Sequence, residues 1–401
     1  MLFRRFDSRR LVRAGAALVS GVLLAGALWA RAAEAQSAGS VSLLQQAAAA
    51  EAALQVEAAI DRLYALQIEH PRTADALAGR LQLARLLTLV GDLPAALLEC
   101  QALRDELPTD RPERQRALDF GTIVARRLWN GGRGPVAPTI DVLPLRGLAS
   151  FDEPTAVVLD RSGAWLVVDQ GRSRVYRVTA DATAPIATIP DPQAIAELPD
   201  GTLVLGGKTG LVASSSSVSI QQSATWGGRT HPLRRPRALA ANSRGDLFVV
   251  DRDYDGLLRC SAGGGACAPW GPPGRVRTVK VGPSDFVCTL DERQVVRILD
   301  DSGRVLTTIG PTVNAVKFDR LVDIAIDAAY GIYLLDADLH RIEVLALHFT
   351  ADGRMGVETV RTIAVPAEGD RALKNPSALA VTASGTLIVT GQSSPRLLRM
   401  Q

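Results

Sequence analysis

Alternating acidic side chains form one short stretch with the chemistry of a cation site. In DRDYDG, residues Asp251, Asp253 and Asp255 precede a glycine, as in the first half of a calcium-binding loop, where alternate carboxylates converge on the ion. The ninth and twelfth positions, where such loops place further acidic ligands, are Arg259 and Ala262. We therefore expect an acidic hairpin turn here, with Ca²⁺ binding by the three aspartates as the alternative. No other cofactor is expected.

Further aspartates recur at the ends of strand-like runs. The set comprises Asp169, Asp251, Asp291 and Asp336, and an arginine follows five residues after two of them, at Arg174 and Arg341. One hypothesis is a charged rim that meets a partner, formed by Asp169, Arg174, Lys208, Asp291, Asp336, His340 and Arg341. The other is structural, with each aspartate accepting hydrogen bonds from turn backbone N–H groups and pairing with the arginine. Recurrence at the same position of four units favours the structural hypothesis.

The stretch GTLVLGGKTG (201–210) resembles a phosphate-binding loop only superficially. That loop requires a glycine six residues before its lysine, and the residue six before Lys208 is Thr202. The residues that follow are strand-like, whereas a phosphate loop leads into a helix. We expect no nucleotide site.

Histidines offer a weak case for an enzyme. His231 and His340 are predicted near one face, but a metal-dependent lyase needs several ligands and an acid or base. The chain has no Gly-x-Ser-x-Gly, Cys-x-x-Cys or His-x-x-x-His pattern. Catalysis is therefore the alternative rather than the main hypothesis.

The cysteines fall into two kinds. Cys260 and Cys267 enclose a short glycine-rich loop, and we predict that they form a disulfide that joins two antiparallel strands. Cys100 and Cys288 lie in apolar contexts, where buried free thiols are expected.

These residues belong to a sequence repeat. Each unit has an anchor, then nine residues on a turn position that is glycine in four units and Asp285 or Tyr330 in the other two, then six residues further on an aspartate or glycine. The anchors are Pro154, Pro192, Pro236, Val276, Leu321 and Pro376, and they lie 38 to 55 residues apart. Such a period with about four short strands per unit is typical of propeller blades. The last unit has three strands, and we predict that a strand within 138–148 completes it, closing a six-bladed all-β propeller without an open edge.

The copies resemble NHL repeats. The resemblance lies in Val-Asp, four residues, then Arg-Val or Arg-Ile, as in Val168-Asp169 to Arg174-Val175, and it covers about 140–401. It implies a six-bladed propeller that acts mostly as a binding platform, and in a few members as a metal-dependent lyase.

The preceding part reads as helical. Apolar residues three and four apart predict about four helices in a domain at 41–129, with breaks at His70-Pro71, Gly91-Asp92 and Pro108. Two of these breaks fit the spacing of a tetratricopeptide repeat, so the α-helical hairpin domain resembles that family; a generic helical bundle is the alternative. Residues 130–137 read as a linker to the propeller at 138–401.

The first 35 residues read as a signal peptide. A basic segment precedes a charge-free apolar run (14–30), and Ala33-Glu34-Ala35 fits a cleavage site. Six arginines and two acids give this leader a charge of +4 out of a total of +3, which leaves −1 for the rest. No strong positive charge therefore remains to indicate nucleic-acid binding. We expect a periplasmic or secreted protein, associated with a membrane only if the leader is retained as an anchor.

Two repeat regions without a catalytic constellation predict a non-catalytic scaffold. We expect it to bind protein or peptide partners of the cell envelope through the helical repeats and one propeller face. The alternative is a metal-dependent lyase or lactonase that acts at the channel mouth. Glycan binding is disfavoured because aromatic residues make up only 4% of the chain.

Overall fold

The computed structural model describes residues 38–130, 138–215, 220–262, 267–313, 316–350 and 352–400. The predicted leader and nearly all of the predicted linker lie outside these ranges; Asn130, its first residue, ends a helix. Contacts between Cα atoms divide the chain into two compact units, Met1–Leu86 and Leu87–Gln401. None of the helices within the described ranges is long and apolar enough to span a membrane.

Five helices occupy the N-terminal region. They are α1 (38–52), α2 (Val56–Glu69), α3 (Ala74–Leu89), α4 (Leu93–Glu106) and α5 (Pro112–Asn130). In the first unit, α2 buries Ala59, Leu63 and Leu66. A β-carbon added to Gly79 of α3 would lie 3.0 Å from the Leu66 side chain, so α2 and α3 pack closely through this small residue.

The sequence predicted about four helices, whereas the described residues form five, because the helical region has one more break than predicted. Helix α1 ends before Leu54, which has a left-handed backbone conformation with φ of 60°. The sequence around it is alanine-rich, with no glycine or proline to indicate a helix end. The other breaks have recognisable causes: Gly91 has φ of 85°, and the Asp92 side chain accepts a hydrogen bond from Ala95 N at the start of α4.

The strands form six sheets around a ring. The first sheet consists of β2 (Pro154–Leu159), β3 (Trp165–Asp169), β4 (Arg174–Val178) and β5 (Thr183–Thr188), and the second of β6 (Ala194–Glu197), β7 (Leu203–Gly207) and β8 (Gly210–Ala213). The third consists of β11 (Pro236–Ala241), β12 (Leu247–Asp251), β13 (Leu257–Cys260) and β14 (Ala268–Trp270), and the fourth of β15 (Val276–Val281), β16 (Val287–Asp291), β17 (Val296–Leu299) and β18 (Val305–Ile309). The fifth consists of β21 (Leu321–Ile326), β22 (Gly331–Asp336), β23 (Arg341–Phe349) and β24 (Met355–Ala364), and the sixth of β25 (Pro376–Val381), β26 (Leu387–Gly391), β27 (Ser394–Met400) and β1 (Ile140–Val142). We number these blades 1 to 6 in that order.

The ring closes as predicted. Strand β1 pairs antiparallel with β27, with Ile140 opposite Met400, so the chain's earliest strand is the outer strand of blade 6. The innermost strands contact one another in the order β2, β6, β11, β15, β21, β25 and back to β2. Together these contacts confirm a helical region followed by a six-bladed propeller.

Blade 2 departs from the four-strand pattern. In its described residues it has three strands, and residues 223–232 form a separate hairpin of β9 (Ser223–Trp226) and β10 (Arg229–Pro232). Ala224 of this hairpin forms an isolated bridge with Cys267 of blade 3. A second short hairpin, β19 (Thr312–Val313) with β20 (Val316–Lys317), lies in the connection from blade 4 to blade 5.

The predicted turn after each innermost strand is a conformational requirement. All six positions have positive φ: Gly163, Gly201, Gly245, Asp285, Tyr330 and Gly385. Glycine adopts this conformation at no steric cost, which explains its recurrence. Tyr330 adopts it at 59° while fully buried, with its hydroxyl 2.9 Å from Ser284 Oγ.

Two faces of the ring are distinguished by their turns. We call the face on which the innermost strands begin and the second strands end the rim face. Helix α5 contacts the opposite face: Arg126 Nη1 donates to Ser384 O and Arg127 Nη1 to Ala329 O, each at 3.1 Å. Both carbonyls lie in turns between first and second strands, so part of this opposite face is covered by the helix.

Beneath α5, Asp327 is buried in blade 5. It accepts hydrogen bonds from Gly331 N and from the Tyr333 hydroxyl, both at 2.8 Å. Burial raises the pKa of Asp327 above its ordinary value, although these donors act in the opposite direction. Since each carboxylate oxygen of Asp327 has a donor and α5 covers the turn, we infer that Asp327 and Tyr333 stabilise the turn that the helix contacts.

Candidate functional site

The recurring aspartates support the rim from within. Asp169 and Asp336 are fully buried. Asp336 accepts hydrogen bonds from Asp319 N at 2.9 Å and Arg320 N at 3.1 Å, and Asp169 binds the equivalent N–H groups of Asp152 and Glu153. Each carboxylate thus fastens the connection that enters its blade, as the structural hypothesis states.

The predicted pairing of these aspartates with the arginine five residues later does not occur. Asp169 forms its ion pair with Arg172, at 3.6 Å, while Arg174 is exposed. The Arg341 guanidinium lies 3.1 Å from Glu343 Oε1 instead. The carboxylates point into the ring towards the entering backbone, so an arginine at the start of the next strand does not reach them.

Blades 2 and 6 carry glycine in the aspartate position for a steric reason. A β-carbon on Gly207 would lie 2.7 Å from Pro190 O, and one on Gly391 would clash with Lys374 O. In these blades the entering backbone occupies the space that the carboxylate fills elsewhere. Lys208, next to Gly207, is exposed on the rim face.

The DRDYDG turn gives its three aspartates separate partners. Asp251 is buried and accepts hydrogen bonds from Arg234 N, Arg235 N and Asp253 N. Asp253 is exposed, and Asp255 Oδ1 lies 3.1 Å from Arg275 Nε. Across the described ranges, no three His, Cys, Asp or Glu side chains are grouped as metal ligands. Calcium binding here stays a prediction.

Sequence reasoning missed a feature that five innermost strands share where they begin on the rim face, a place that we call the channel mouth. In five innermost strands the pairing register shifts after the first residue, which leaves the second residue in a β-bulge. Bulges redirect side chains and are frequent beside binding sites. We call these five residues the bulge ring: Thr155, Arg237, Arg277, Val322 and Ser377.

Three bulge-ring side chains connect neighbouring blades at the mouth. Arg237 Nη2 donates to Val276 O, and Arg277 Nη1 donates to Leu321 O at 3.0 Å. Ser377 Oγ donates to Pro154 O at 2.8 Å across the junction between blades 6 and 1. The acceptor is in every case the carbonyl of the next anchor residue, so the mouth is rigidly held and carries two adjacent guanidinium groups.

Deeper in the channel, blade 5 contributes one buried acid. Asp323 accepts a hydrogen bond from Leu379 N at 2.9 Å, and its Oδ1 lies 3.3 Å from Lys280 Nζ. Thr278 Oγ1 is 3.4 Å from the same oxygen. Asp323 therefore links the innermost strands of blades 4, 5 and 6, and its charge is matched by Lys280.

A cleft opens on the rim face between blades 3 and 4. Its volume is about 560 Å³, and its lining is strongly charged. The lining residues are Asp255, Pro273, Gly274, Arg275, Asp291, Glu292, Arg293 and Arg297. Asp291 is held by Arg297 at 2.7 Å, and Glu292 lies 3.7 Å from Arg275. Of the predicted rim residues, only Asp291 lies in this cleft.

Among the described residues, five exposed cations on the rim face of blades 2 to 4 have no acidic partner, and one of them, Arg293, lines the cleft. We call the following residues the basic sector: Lys208, Arg234, Arg235, Arg252 and Arg293. All are exposed, and in the part of the chain that the structure describes their side chains make no hydrogen bond or ion pair. They lie in turns or connections of the rim face in blades 2 to 4. The basic sector therefore adds positive potential to this part of the rim face.

The remaining predicted residues lie elsewhere. His340 is half-buried in the rim turn of blade 5, and the His231 ring stacks on Trp226 with 3.9 Å between centroids. Cys260 and Cys267 form a disulfide. Cys100 and Cys288 are buried free thiols, and burial raises the pKa of the Cys100 thiol to about 12.

A signal for the missed residues was present in the repeat alignment. Arg237 and Arg277 both follow an anchor directly, in a column otherwise occupied by uncharged residues, and Asp323 is the only acid two residues after an anchor.

Comparisons with solved structures find propellers at low sequence identity. A structural genomics protein of unknown function from Bacteroides thetaiotaomicron matches with a TM-score of 0.50 and 12% identity, covering 66% of this chain and 76% of that one. XC5397, a gluconolactonase from Xanthomonas campestris, matches with a TM-score of 0.46 and 13% identity, covering 66% of this chain and 89% of that one. A streptogramin B lyase matches with a TM-score of 0.47 and 9% identity, covering 66% of this chain and 97% of that one.

At these identities the similarity shows the fold alone, a six-bladed propeller. No protein-family model matches the chain, and no curated relative matches it. The resemblances to NHL and tetratricopeptide repeats therefore remain resemblances.

Proposed function

We propose that this protein is a non-catalytic binding propeller whose rim face receives an acidic segment of a protein or peptide partner. The observation that carries the proposal is the basic sector, a group of exposed cations without acidic partners in blades 2 to 4, of which Arg293 lines a cleft of about 560 Å³. Complementary charge accelerates encounter and orients partners. In keeping with the predicted leader, we place this partner in the cell envelope.

The position of helix α5 supports the choice of face. It contacts turns of blades 5 and 6 on the opposite side of the ring. The basic sector lies on the rim face, in blades 2 to 4, where those contacts leave the surface exposed. The partner-binding role predicted for the helical repeats stays a separate prediction.

The proposal is tested with a fluorescent oligo-glutamate peptide and anisotropy measurements at two salt concentrations. Binding should weaken as salt rises, because exposed charges are screened. Arg293→Glu should weaken it roughly fivefold to tenfold, as about 1 kcal/mol per surface contact implies. The matched control is Arg354→Glu, a charge reversal at an 84% exposed arginine in a turn of the opposite face. Equal peptide affinities for the two variants would refute the proposal.

The alternative is a metal-dependent lyase or lactonase that acts at the channel mouth. Its named counterparts among the structural neighbours share only the fold with this chain. A divalent cation at the mouth would face Arg237 and Arg277, which repel it. Metal analysis of the purified protein, with the melting temperature measured with and without chelator, separates the two hypotheses: a stoichiometric metal whose removal lowers the melting temperature would favour the enzyme.

A further inference from the structure

The paired arginines of the bulge ring carry an inference about what the rim face recognises. Arg237 and Arg277 occupy equivalent positions on β11 and β15, which are neighbours in the ring. Each guanidinium is fixed by one hydrogen bond to the backbone of the next blade. A guanidinium has five N–H donors in a fixed fork, so both groups retain donors after this bond is made.

The donors that remain are incompletely used. Arg237 Nε is buried without a hydrogen-bond partner, and its nearest carboxylate, on Glu292, lies 3.6 Å from Nη2. This distance permits an ion pair but is longer than a good hydrogen bond. Among the described residues, Arg277 has no acidic partner. Buried polar groups without partners are uncommon and call for an explanation.

The local charge balance is also unfavourable without a ligand. Burial holds the pKa of Arg237 below its ordinary value; Glu292 opposes that shift, and nearby Arg277 and Arg252 add to it. Three like charges, including that of Arg237 itself, thus meet at one half-buried position. An anion between them would relieve this repulsion and supply the missing acceptors.

We infer that Arg237 and Arg277 form a binding site for a single oxyanion, a carboxylate or a phosphate group. Planar guanidinium groups bind both through paired N–H···O bonds. The backbone hydrogen bonds hold the two side chains in place before the ligand arrives, which lowers the entropic cost of binding. This inference rests on the proposed function, since it names the chemical group that the same face recognises.

The site is tested by the rise in melting temperature of the purified protein with inorganic phosphate or acetate, against chloride at matched ionic strength. A ligand that binds only the folded state raises this temperature in a saturable way. Arg277→Gln should weaken the apparent affinity roughly tenfold or more, as expected for hydrogen bonds to a charged group. Arg277→Lys keeps the charge but not the fork, so it should also bind more weakly than the wild type.

Because each variant is compared with itself in chloride, a change in basal stability does not affect the comparison. The inference is overturned if chloride reproduces the rise, or if Arg277→Gln and Arg277→Lys respond as the wild type does. A stronger response to acetate identifies the group as a carboxylate, and a stronger response to phosphate identifies it as a phosphate; either supports the site.

Arg293→Glu separates this inference from the proposed function. If phosphate binding depends on Arg277 while the acidic peptide binds Arg293→Glu as tightly as the wild type, the oxyanion site stands and the proposed cleft fails. If the peptide depends on Arg293 but neither anion depends on Arg277, the oxyanion site alone fails.

Discussion

Replacing Asp336 by alanine tests whether the recurring aspartates are structural. The carboxylate is fully buried and accepts two hydrogen bonds from the backbone N–H groups that enter blade 5, at 2.9 and 3.1 Å. An unsatisfied buried donor costs about 1–3 kcal/mol. Because Asp319 is exposed and Arg320 half-buried, water reaches part of this backbone. We therefore expect Asp336→Ala to lower the free energy of unfolding by about 2–4 kcal/mol.

The assay is equilibrium urea unfolding, with Asp338→Ala as the matched control. Asp338 lies two residues away and is 46% exposed, with an ion pair of 2.6 Å to Arg320. Surface pairs of this kind contribute about 0–1 kcal/mol. If Asp336→Ala lowers stability no more than Asp338→Ala, the structural reasoning is wrong.

Two further predictions concern acid stability and steric fit. The pKa of Asp300 is lowered in the folded state: burial acts to raise it, but hydrogen bonds from Ser302 and Arg304 outweigh burial. The stabilising contribution of Asp300 is therefore present above the unfolded pKa of about 3.9 and lost as pH falls through the folded value. We expect the urea midpoint of Asp300→Asn to fall less steeply on acidification than that of the wild type. An unchanged slope of urea midpoint against pH would contradict this prediction. Gly207→Ala would place a β-carbon 2.7 Å from Pro190 O and should lower the free energy of unfolding, measured in urea, by about 1–3 kcal/mol. In the control Gly310→Ala the added β-carbon has no atom closer than 3.9 Å, so this variant should be nearly neutral. Equal effects of the two variants would show that the backbone entering blade 2 moves aside.

The repeat could be read from the sequence because its determinants are local. A glycine nine residues after four of the six anchors marks a turn that needs positive φ, and the structure has positive φ at all six positions, including Asp285 and Tyr330. The same spacing located the ends of β3, β12, β16 and β22 at aspartates. Even the closure of blade 6 by β1 followed from counting strands, because an unpaired edge strand is unfavourable.

The candidate site could not be read in this way because it depends on which residues meet across blades. Arg237 and Arg277 lie 40 residues apart in sequence, and they become neighbours only because β11 and β15 are adjacent around the channel. The bulges that place both side chains at the mouth arise from strand pairing, which the spacing of anchors does not specify. The predicted ion pair of Arg341 was wrong for the same reason. The spacing in sequence put Arg341 near Asp336, whereas the fold places it 3.1 Å from Glu343.

By itself, then, the sequence determined the helical region, the six units and the positions of their turns, since each follows from backbone conformation and short-range pattern. Only the tertiary structure decided that the aspartates are occupied by backbone N–H groups and that the arginines of blades 3 and 4 gather at the channel mouth. The physical reason is that a carboxylate or guanidinium takes its role from the donors, acceptors and charges around it, and in a ring of blades those groups come from distant parts of the chain.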